Sequence, residues 1–264
     1  TQGRCVSGLA FDAADHARIE ALARDAFVHL DTLGKAGHPL AWEVDQEAIV
    51  ADLHELLDRE AGWSAETGAR PSLFEHSFGF DDDPTSWPAA TVVLADGRTV
   101  TFRGVVDRVD FGPADQSPRR AVVIDYKSGR AEWYAGIKDD PLLGGRHIQL
   151  ALYTRALRAA LAAESGPDVA ASAEISAEYR FVSLRGSFTR LPVVASQSLD
   201  RQLDRVVQRV ADGVRRGVFL PVPGPEQSDR GPENCRFCDF DRVCATDRAA
   251  LWARKHHAAE QGLG

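Results

Sequence analysis

The spacing of apolar side chains predicts several helices. Between residues 12 and 33, apolar residues recur every three or four positions, as Ile19, Leu22 and Ala26 do, which is the pattern of an amphipathic helix. Further helices are predicted over residues 45–60, 146–163 and 199–216, with a last one in the tail to about residue 257. Helical segments therefore both precede and follow the central part of the chain.

The central part changes period and predicts strands, which cover residues 73–80, 91–94, 100–111, 121–126 and 176–184. The second and third strands flank Asp96-Gly97, a pair suited to a tight hairpin turn because both residues can adopt positive φ. The fourth is nearly all apolar, as expected of a strand buried on both faces. This order of elements predicts an α/β fold with a mixed β-sheet flanked by helices.

The domain organisation follows from these elements. We expect one domain over residues 1–264, built from three parts: a helical part (12–62), a core (71–218) and a Cys-rich element (219–264) that packs with Cys5. A chain of 264 residues can bury a substantial core. It begins at Thr1 and contains no methionine, which indicates a processed or trimmed piece of a longer chain.

Composition narrows the function classes. No apolar run is long enough to span a bilayer and no signal pattern opens the chain, so we expect a cytoplasmic protein without a membrane partner. A net charge of −8 argues against a basic surface that binds nucleic acid non-specifically, but it leaves room for a local track that holds phosphates.

Carboxylates and one lysine cluster at two predicted strands. Asp107 and Asp110 lie on the strand at 100–111, and Asp125 and Lys127 lie at the end of the next strand. Side chains alternate along a strand, so Asp125 and Lys127 share a face, where Asp107 can meet them if the strands are neighbours. Asp110 has a plainer interpretation as a solvated residue or a partner for Arg108.

These residue types suit phosphodiester hydrolysis. Magnesium and manganese prefer carboxylate oxygens, and such ions can activate a water molecule and stabilise the leaving oxygen. A neighbouring lysine can orient or deprotonate that water and offset developing negative charge. The cluster therefore predicts a divalent-metal site with hydrolytic chemistry.

Three motifs resemble those of a known family. Gly104–Arg108 stands as "GxxDR", Asp125–Gly129 as a "DYKTG"-like strand, and Gln149–Tyr153 as "QxxxY". Together they resemble the RecB-type branch of the PD-(D/E)xK nucleases, which implies a restriction-endonuclease-like core. The resemblance implies metal ligation by Asp107, Asp125 and the Tyr126 backbone, catalysis by Lys127, and Gln149 and Tyr153 near the scissile strand.

The family also places a metal-binding histidine on an early helix. His29 is the preferred candidate because of its apolar neighbours, and His16 is the alternative. Glu75, on the strand before the hairpin, is a further candidate acid. Arg146 and Arg155 flank the Gln149–Tyr153 segment and are candidates for contacts with DNA phosphates.

Four cysteines form a separate pattern: Cys5 far upstream, and Cys235, Cys238 and Cys244 in the tail. This arrangement resembles the AddB-type subgroup, which implies a 4Fe–4S cluster joining the ends of the chain. Zinc is the main rival because four thiolates also bind it well, although zinc ribbons usually have two close pairs. Disulfides are not expected in a cytosolic protein.

The function predicted from the sequence is a magnesium- or manganese-dependent DNA nuclease. The resemblance favours an exonuclease on single strands or duplex ends in DNA repair, recombination or defence. A helicase subunit or domain is an expected partner. Two alternatives stay open: a non-catalytic DNA-binding module, and a zinc-stabilised interaction domain of a helicase–nuclease complex.

Overall fold

Two helices open the described part of the chain. The computed structural model describes residues 11–113, 119–218, 222–227, 231–236, 238–240 and 243–260. Helix α1 spans Ala13–Thr32 and begins at a capping box, in which the side chains of Asp12 and Asp15 bond each other's backbone N–H groups. Helix α2 spans Pro39–Thr67 and is longer than predicted, because a proline suits its first turn.

The remaining elements are runs of strands separated by helices. Strands β1 to β5 are Arg70–Phe78, Ala90–Val93, Thr99–Phe102, Gly104–Phe111 and Arg120–Lys127. Helices α3 and α4 are Gln149–Ser165 and Pro167–Ser172, strands β6 and β7 are Glu174–Phe181 and Arg190–Val194, and helix α5 is Gln197–Arg215. The tail holds β8 (Glu226–Gln227), β9 (Gly231–Pro232) and α6 (Arg248–Glu260).

Five strands form the main sheet, in the order β1-β4-β5-β6-β7. The β5–β6 pair is parallel and the other three pairs are antiparallel. The α/β prediction with a mixed sheet flanked by helices is therefore confirmed. The parallel pair is possible because α3 crosses over between its two strands.

The hairpin prediction was only partly correct. Strands β2 and β3 pair around Asp96-Gly97, but they form a separate two-stranded sheet, and β4 starts as a new strand after Arg103. The predicted strand 100–111 thus combines two strands that belong to different sheets. Strand β7 was missed altogether.

Helices cover both faces of the main sheet. Helix α3 packs against β5 and β6, with an almost continuous buried stretch from Leu150 to Leu157. On the opposite face, Glu60 of α2 forms ion pairs with Arg108 and Arg180. Residues that alternate along β4 and β5 therefore lie on the α2 side or the α3 side of the sheet.

The described residues fall into two units of contact, one ending at Gln208 and the other starting at Arg209. The first unit holds the main sheet. The second holds the short β8–β9 pair, a 3-10 turn over Glu233–Cys235 and α6. Within the described ranges, no helix is both long and apolar enough to cross a membrane.

Candidate active site

Two aspartates lie side by side on neighbouring strands. Strands β4 and β5 pair Arg108 with Ile124, so the next position along this register puts Asp107 opposite Asp125. Directly opposite side chains of an antiparallel pair point to the same face. Asp107 accepts a hydrogen bond from the backbone N–H of Tyr126 at 2.7 Å, which fixes its carboxylate beside the end of β5.

Lys127 completes this group. Its ammonium forms an ion pair with Asp125 Oδ2. It also lies 3.5 Å from Gln149 Oε1 and 5.0 Å from the centre of the Tyr179 ring. Asp125 is only 3% exposed, and its Oδ2 makes no hydrogen bond of regular geometry despite the ion pair. Asp125 Oδ2 is therefore held in place by the Lys127 ammonium and can still accept a further ligand.

The electrostatics of Asp125 follow from this placement. Burial raises the pKa of its carboxyl above the ordinary value; the Lys127 ammonium opposes the rise, and the negative charge of Asp107 adds to it. Asp125 is buried and Asp107 is half-buried, so their like charges repel each other in surroundings that water screens only in part. A cation placed between the two carboxylates would offset this repulsion.

Gln149 and Tyr153 lie one turn apart at the start of α3, and they are bonded to each other. Gln149 Nε2 donates to the Tyr153 hydroxyl at 2.8 Å, and that hydroxyl donates to the Val105 carbonyl at 3.0 Å. Burial, with the nearby Asp125 carboxylate, raises the pKa of Tyr153 to about 12, so the hydroxyl stays a donor at neutral pH. This pair anchors the start of α3 to β4.

The family model of the PD-(D/E)XK nuclease superfamily matches residues 8–245, which is most of the chain. The chain belongs to the PD-(D/E)XK nuclease superfamily. A search among curated proteins gave no match.

The histidines expected as further metal ligands of this PD-(D/E)XK nuclease do not join the two aspartates. Within the described ranges, no set of three or more His, Cys, Asp and Glu side chains is arranged to hold a metal ion. His29 is exposed in the last turn of α1, and His16 contacts His54 and Asp58 instead of either aspartate. The structure therefore brings Asp107, Asp125 and Lys127 together without a histidine.

Glu75 has an unusual backbone at a relevant position. It lies between Phe74, which pairs with Arg108, and His76, which pairs with Val106, so it stands opposite Asp107 on β1. Its φ of +47° is uncommon for a residue other than glycine, and such strained conformations cluster at functional sites. The side chain is exposed.

An ionic network on the α2 face of the sheet was not foreseen. Arg108 holds Asp110 through two hydrogen bonds of 2.6 and 2.7 Å, donates to the Tyr126 hydroxyl at 2.9 Å and pairs with Glu60 at 2.8 Å. Asp110 is buried, so of its two sequence interpretations the partnership with Arg108 is correct and the solvated one is wrong. Glu60 also pairs with Arg180 at 2.7 Å. Arg180 also pairs with Glu178, two residues away, but its contact with Glu60 spans 120 positions, and no local motif marks a contact at that separation.

A cavity of about 410 Å³ opens beside Gln149 and Tyr153. Its lining includes aromatic and cationic side chains, from Phe78, Phe102, Arg103, Arg146, His147 and Tyr179. Burial lowers the pKa of His147, and the charges of Arg146 and Lys127 act in the same direction, which favours the neutral imidazole. His147 lies two residues before Gln149, the first residue of α3, but sequence reasoning gave it no role.

The two arginines predicted to contact DNA differ in placement. Arg146 is exposed and lines the cavity. Arg155 is only 16% exposed, and its guanidinium pairs with Asp200 and Asp204 on α5. Arg155 therefore ties α3 to α5, and Arg146 is the one with a free approach from solvent.

Three of the four cysteines lie among the described residues. Cys235, Cys238 and Cys244 are free thiols, and Cys238 donates its backbone N–H to the Cys235 carbonyl at 3.2 Å. Cys5 lies outside the described residues. The tail thus offers three thiols within ten positions of the chain.

Proposed function

We propose that the chain is a magnesium- or manganese-dependent deoxyribonuclease of the RecB type, acting as an exonuclease on single strands or duplex ends in DNA repair, recombination or defence. Superfamily membership implies metal-dependent nuclease activity. The finer assignment is supported by the three motifs at residues 104–108, 125–129 and 149–153.

One observation supports the proposal most strongly. Asp107 and Asp125 stand opposite each other on one face of the sheet, with the Lys127 ammonium against Asp125. Hard divalent cations prefer such carboxylate oxygens. Asp107, Asp125 and the Tyr126 backbone would hold the ion, with Glu75 and His29 as candidate further ligands.

A bound divalent ion would supply an activated water and stabilise charge on the leaving oxygen. The chain's own groups do the rest. The Lys127 ammonium, one quarter exposed, can donate hydrogen bonds to a phosphate oxygen or orient the attacking water. Gln149 holds Lys127 from one side, and Tyr153 fixes Gln149 through their shared hydrogen bond.

The DNA strand is proposed to run along the cavity beside α3. Arg146 would hold a phosphate at its rim, while Phe102, which is partly exposed, offers an aromatic face for an unstacked base. Single strands or frayed ends suit this combination, since a base within a duplex is not free to stack on a side chain. Arg155 contributes by holding α3 in place.

The cysteines are proposed to bind a 4Fe–4S cluster with a structural role, with Cys235, Cys238 and Cys244 as three ligands and Cys5 as the fourth. Three free thiols on closely spaced turns have the right donor chemistry. Zinc bound by the same thiolates is the competing assignment, and a visible absorption spectrum of anaerobically purified protein separates the two.

The test of function is a cleavage assay on DNA labelled at one end. Linear single strands, linear duplexes and closed circles are incubated with Mg²⁺, with Mn²⁺ or with a chelator. We expect metal-dependent shortening of the linear substrates and intact circles. Cutting of closed circles would contradict the exonuclease assignment, and a shift in mobility without shortening would indicate a binding module.

Variants sharpen the assay. Lys127→Gln should lower the cleavage rate about 100-fold or more, which is the usual contribution of a positioned proton-transfer group. Lys138→Gln changes an exposed lysine and is the matched control. Equal cleavage rates for the two variants would show that Lys127 takes no part in the reaction.

A further inference from the structure

Two histidines from different helices face each other away from the aspartate pair. His16 Nδ1 lies 2.9 Å from His54 Nδ1, and the rings are nearly parallel, with centroids 5.1 Å apart. The centroids are farther apart than the nitrogens by about the width of one ring, so the rings meet edge to edge. The two Nδ1 atoms therefore point at each other.

Each histidine also has a carboxylate on its far side. His16 Nε2 lies 3.2 Å from Asp58 Oδ1, and His54 Nε2 lies 3.6 Å from Glu20 Oε2. The set is symmetrical: His16 and Glu20 are four residues apart on α1, as His54 and Asp58 are on α2, so each pair shares one helical face. The Glu20 carboxylate uses its other oxygen, Oε1, to accept from Arg24.

The carboxylates favour one position for the ring protons by electrostatic attraction, more strongly at His16, at 3.2 Å, than at His54, at 3.6 Å. A carboxylate beside Nε2 favours the tautomer with the proton on Nε2. Both Nδ1 atoms then present lone pairs, and lone pairs at 2.9 Å repel each other unless a proton or another cation lies between them. Both side chains are partly exposed, at 24% and 31%, so an ion can reach them from solvent.

We propose that His16 and His54 bind a divalent transition-metal ion such as Zn²⁺ through their Nδ1 atoms, with Asp58 and Glu20 as supporting acceptors for the Nε2 protons. A histidine ligand that donates its second N–H to a carboxylate is the usual arrangement at such sites. Imidazole suits zinc, copper, nickel and cobalt, whereas Mg²⁺ prefers oxygen.

Binding needs a change in both distance and ring orientation, because each Nδ1 lone pair must turn from the other nitrogen towards an ion that lies off the line joining the two nitrogens. With zinc–nitrogen bonds of about 2.0–2.1 Å, two ligands of a tetrahedral site lie about 3.3 Å apart, a few tenths of an ångström more than the observed separation. Two protein atoms ligate the ion directly and water fills the other positions, which is consistent with the absence of a three-residue metal group in the described part of the chain. The site would tie α1 to α2, independently of the aspartate pair and of the proposed nuclease activity.

Cobalt titration tests the site, because Co²⁺ replaces zinc and reports its ligands. Thiolate ligands give strong near-ultraviolet bands, while nitrogen and oxygen ligands give only weak visible bands. We expect the purified protein to bind one more equivalent of Co²⁺, without a thiolate band, than either His16→Gln or His54→Gln. Cobalt should also raise the unfolding temperature of the wild type, but not that of these variants.

Two further comparisons control the result. His38→Gln changes an exposed histidine at the start of α2 and should keep the extra equivalent. Asp58→Asn and Glu20→Gln keep both ligands and should weaken cobalt binding about 10- to 100-fold, the usual effect of losing a supporting carboxylate. Equal stoichiometry and equal thermal response in the wild type, His16→Gln and His54→Gln would overturn the proposal and leave a pair of rings that shares a proton.

Discussion

At the residue scale, Asp125 is a buried acid whose surroundings oppose its charge when no metal ion is bound. Its folded-state pKa is raised, so folding favours the protonated form. Below the ordinary Asp value of about 3.9 the carboxyl is protonated in both states, and the protein keeps its full stability. Stability falls as the pH rises above that value, because the unfolded carboxyl ionises first, and the loss is complete once the pH has passed the folded pKa.

Asp125→Asn should therefore stabilise the protein in chelator near neutral pH while abolishing cleavage. Thermal unfolding across a pH series checks this, and roughly 2–4 °C per kcal/mol is the scale for a chain of this size. The gain should shrink towards about pH 4, where the native carboxyl is also neutral. A variant that is less stable than the wild type at neutral pH would show that the Lys127 ion pair outweighs burial.

Local alternation was enough to predict which residues of the site converge. Asp125 and Lys127 share a face because they are two apart, and Asp107 meets them because β4 and β5 are neighbours. The same reasoning could not find Glu60 and Arg180, which lie 120 positions apart and meet only once α2 packs on the sheet. Sequence patterns predict contacts within an element better than contacts between elements.

At the element scale, Glu60 is the main electrostatic link between α2 and the sheet. Glu60→Ala would leave the buried guanidinium groups of Arg108 and Arg180 without one of their carboxylates. We expect the free energy of unfolding to fall by about 3–5 kcal/mol, as when one partner of a buried ion pair is removed. Chemical denaturation measures this directly.

The same helix provides the control. Glu55 pairs with Arg59 at the surface, four residues away. Glu55→Ala should change the free energy of unfolding by no more than about 0.5 kcal/mol. Similar losses for Glu55→Ala and Glu60→Ala would mean that the buried network contributes little beyond a surface pair.

The proposed cluster is also tested at the scale of an element. Cys238→Ser should remove the visible absorption of anaerobically purified protein and lower its yield and unfolding temperature, because a cluster ligand is lost. Cleavage by the folded fraction should persist, since the aspartates and Lys127 lie on other elements. A colourless wild-type protein that contains one equivalent of zinc would show that the cysteines hold zinc and not an iron–sulfur cluster.

Element prediction failed where register or length was the deciding factor. The chain from residue 100 to 111 has a continuous strand-like pattern, yet it divides at Arg103 because β3 and β4 pair with different partners. Strand β7 is five residues long and pairs only with β6, so its local signal is weak. The division at Arg103 and the existence of β7 both depend on which strands pair with each other, and strand pairing is settled only in the folded sheet.

At the scale of the whole molecule, a net charge of −8 opposes the approach of DNA. Binding must then depend on a few local cations such as Arg146. Arg146→Ala should weaken binding to all sequences similarly and reduce the slope of log affinity against log salt by about 1. Fluorescence anisotropy with labelled DNA, in chelator, measures both effects.

The matched comparison is Arg18→Ala, which removes an exposed arginine of α1. It should leave the salt dependence close to that of the wild type. A parallel loss in both variants would mean that the overall charge, rather than the site beside α3, governs binding.

Asp107 and Asp125 are proposed to share a divalent cation, and Mn²⁺ binding followed by electron paramagnetic resonance measures that interaction without any need for cleavage. The wild type and Asp82→Asn, which changes an exposed acid, should bind the ion equally. Asp107→Asn and Asp125→Asn should each lose that binding while remaining folded. Unchanged Mn²⁺ binding in both of these variants would show that the two aspartates do not hold the ion.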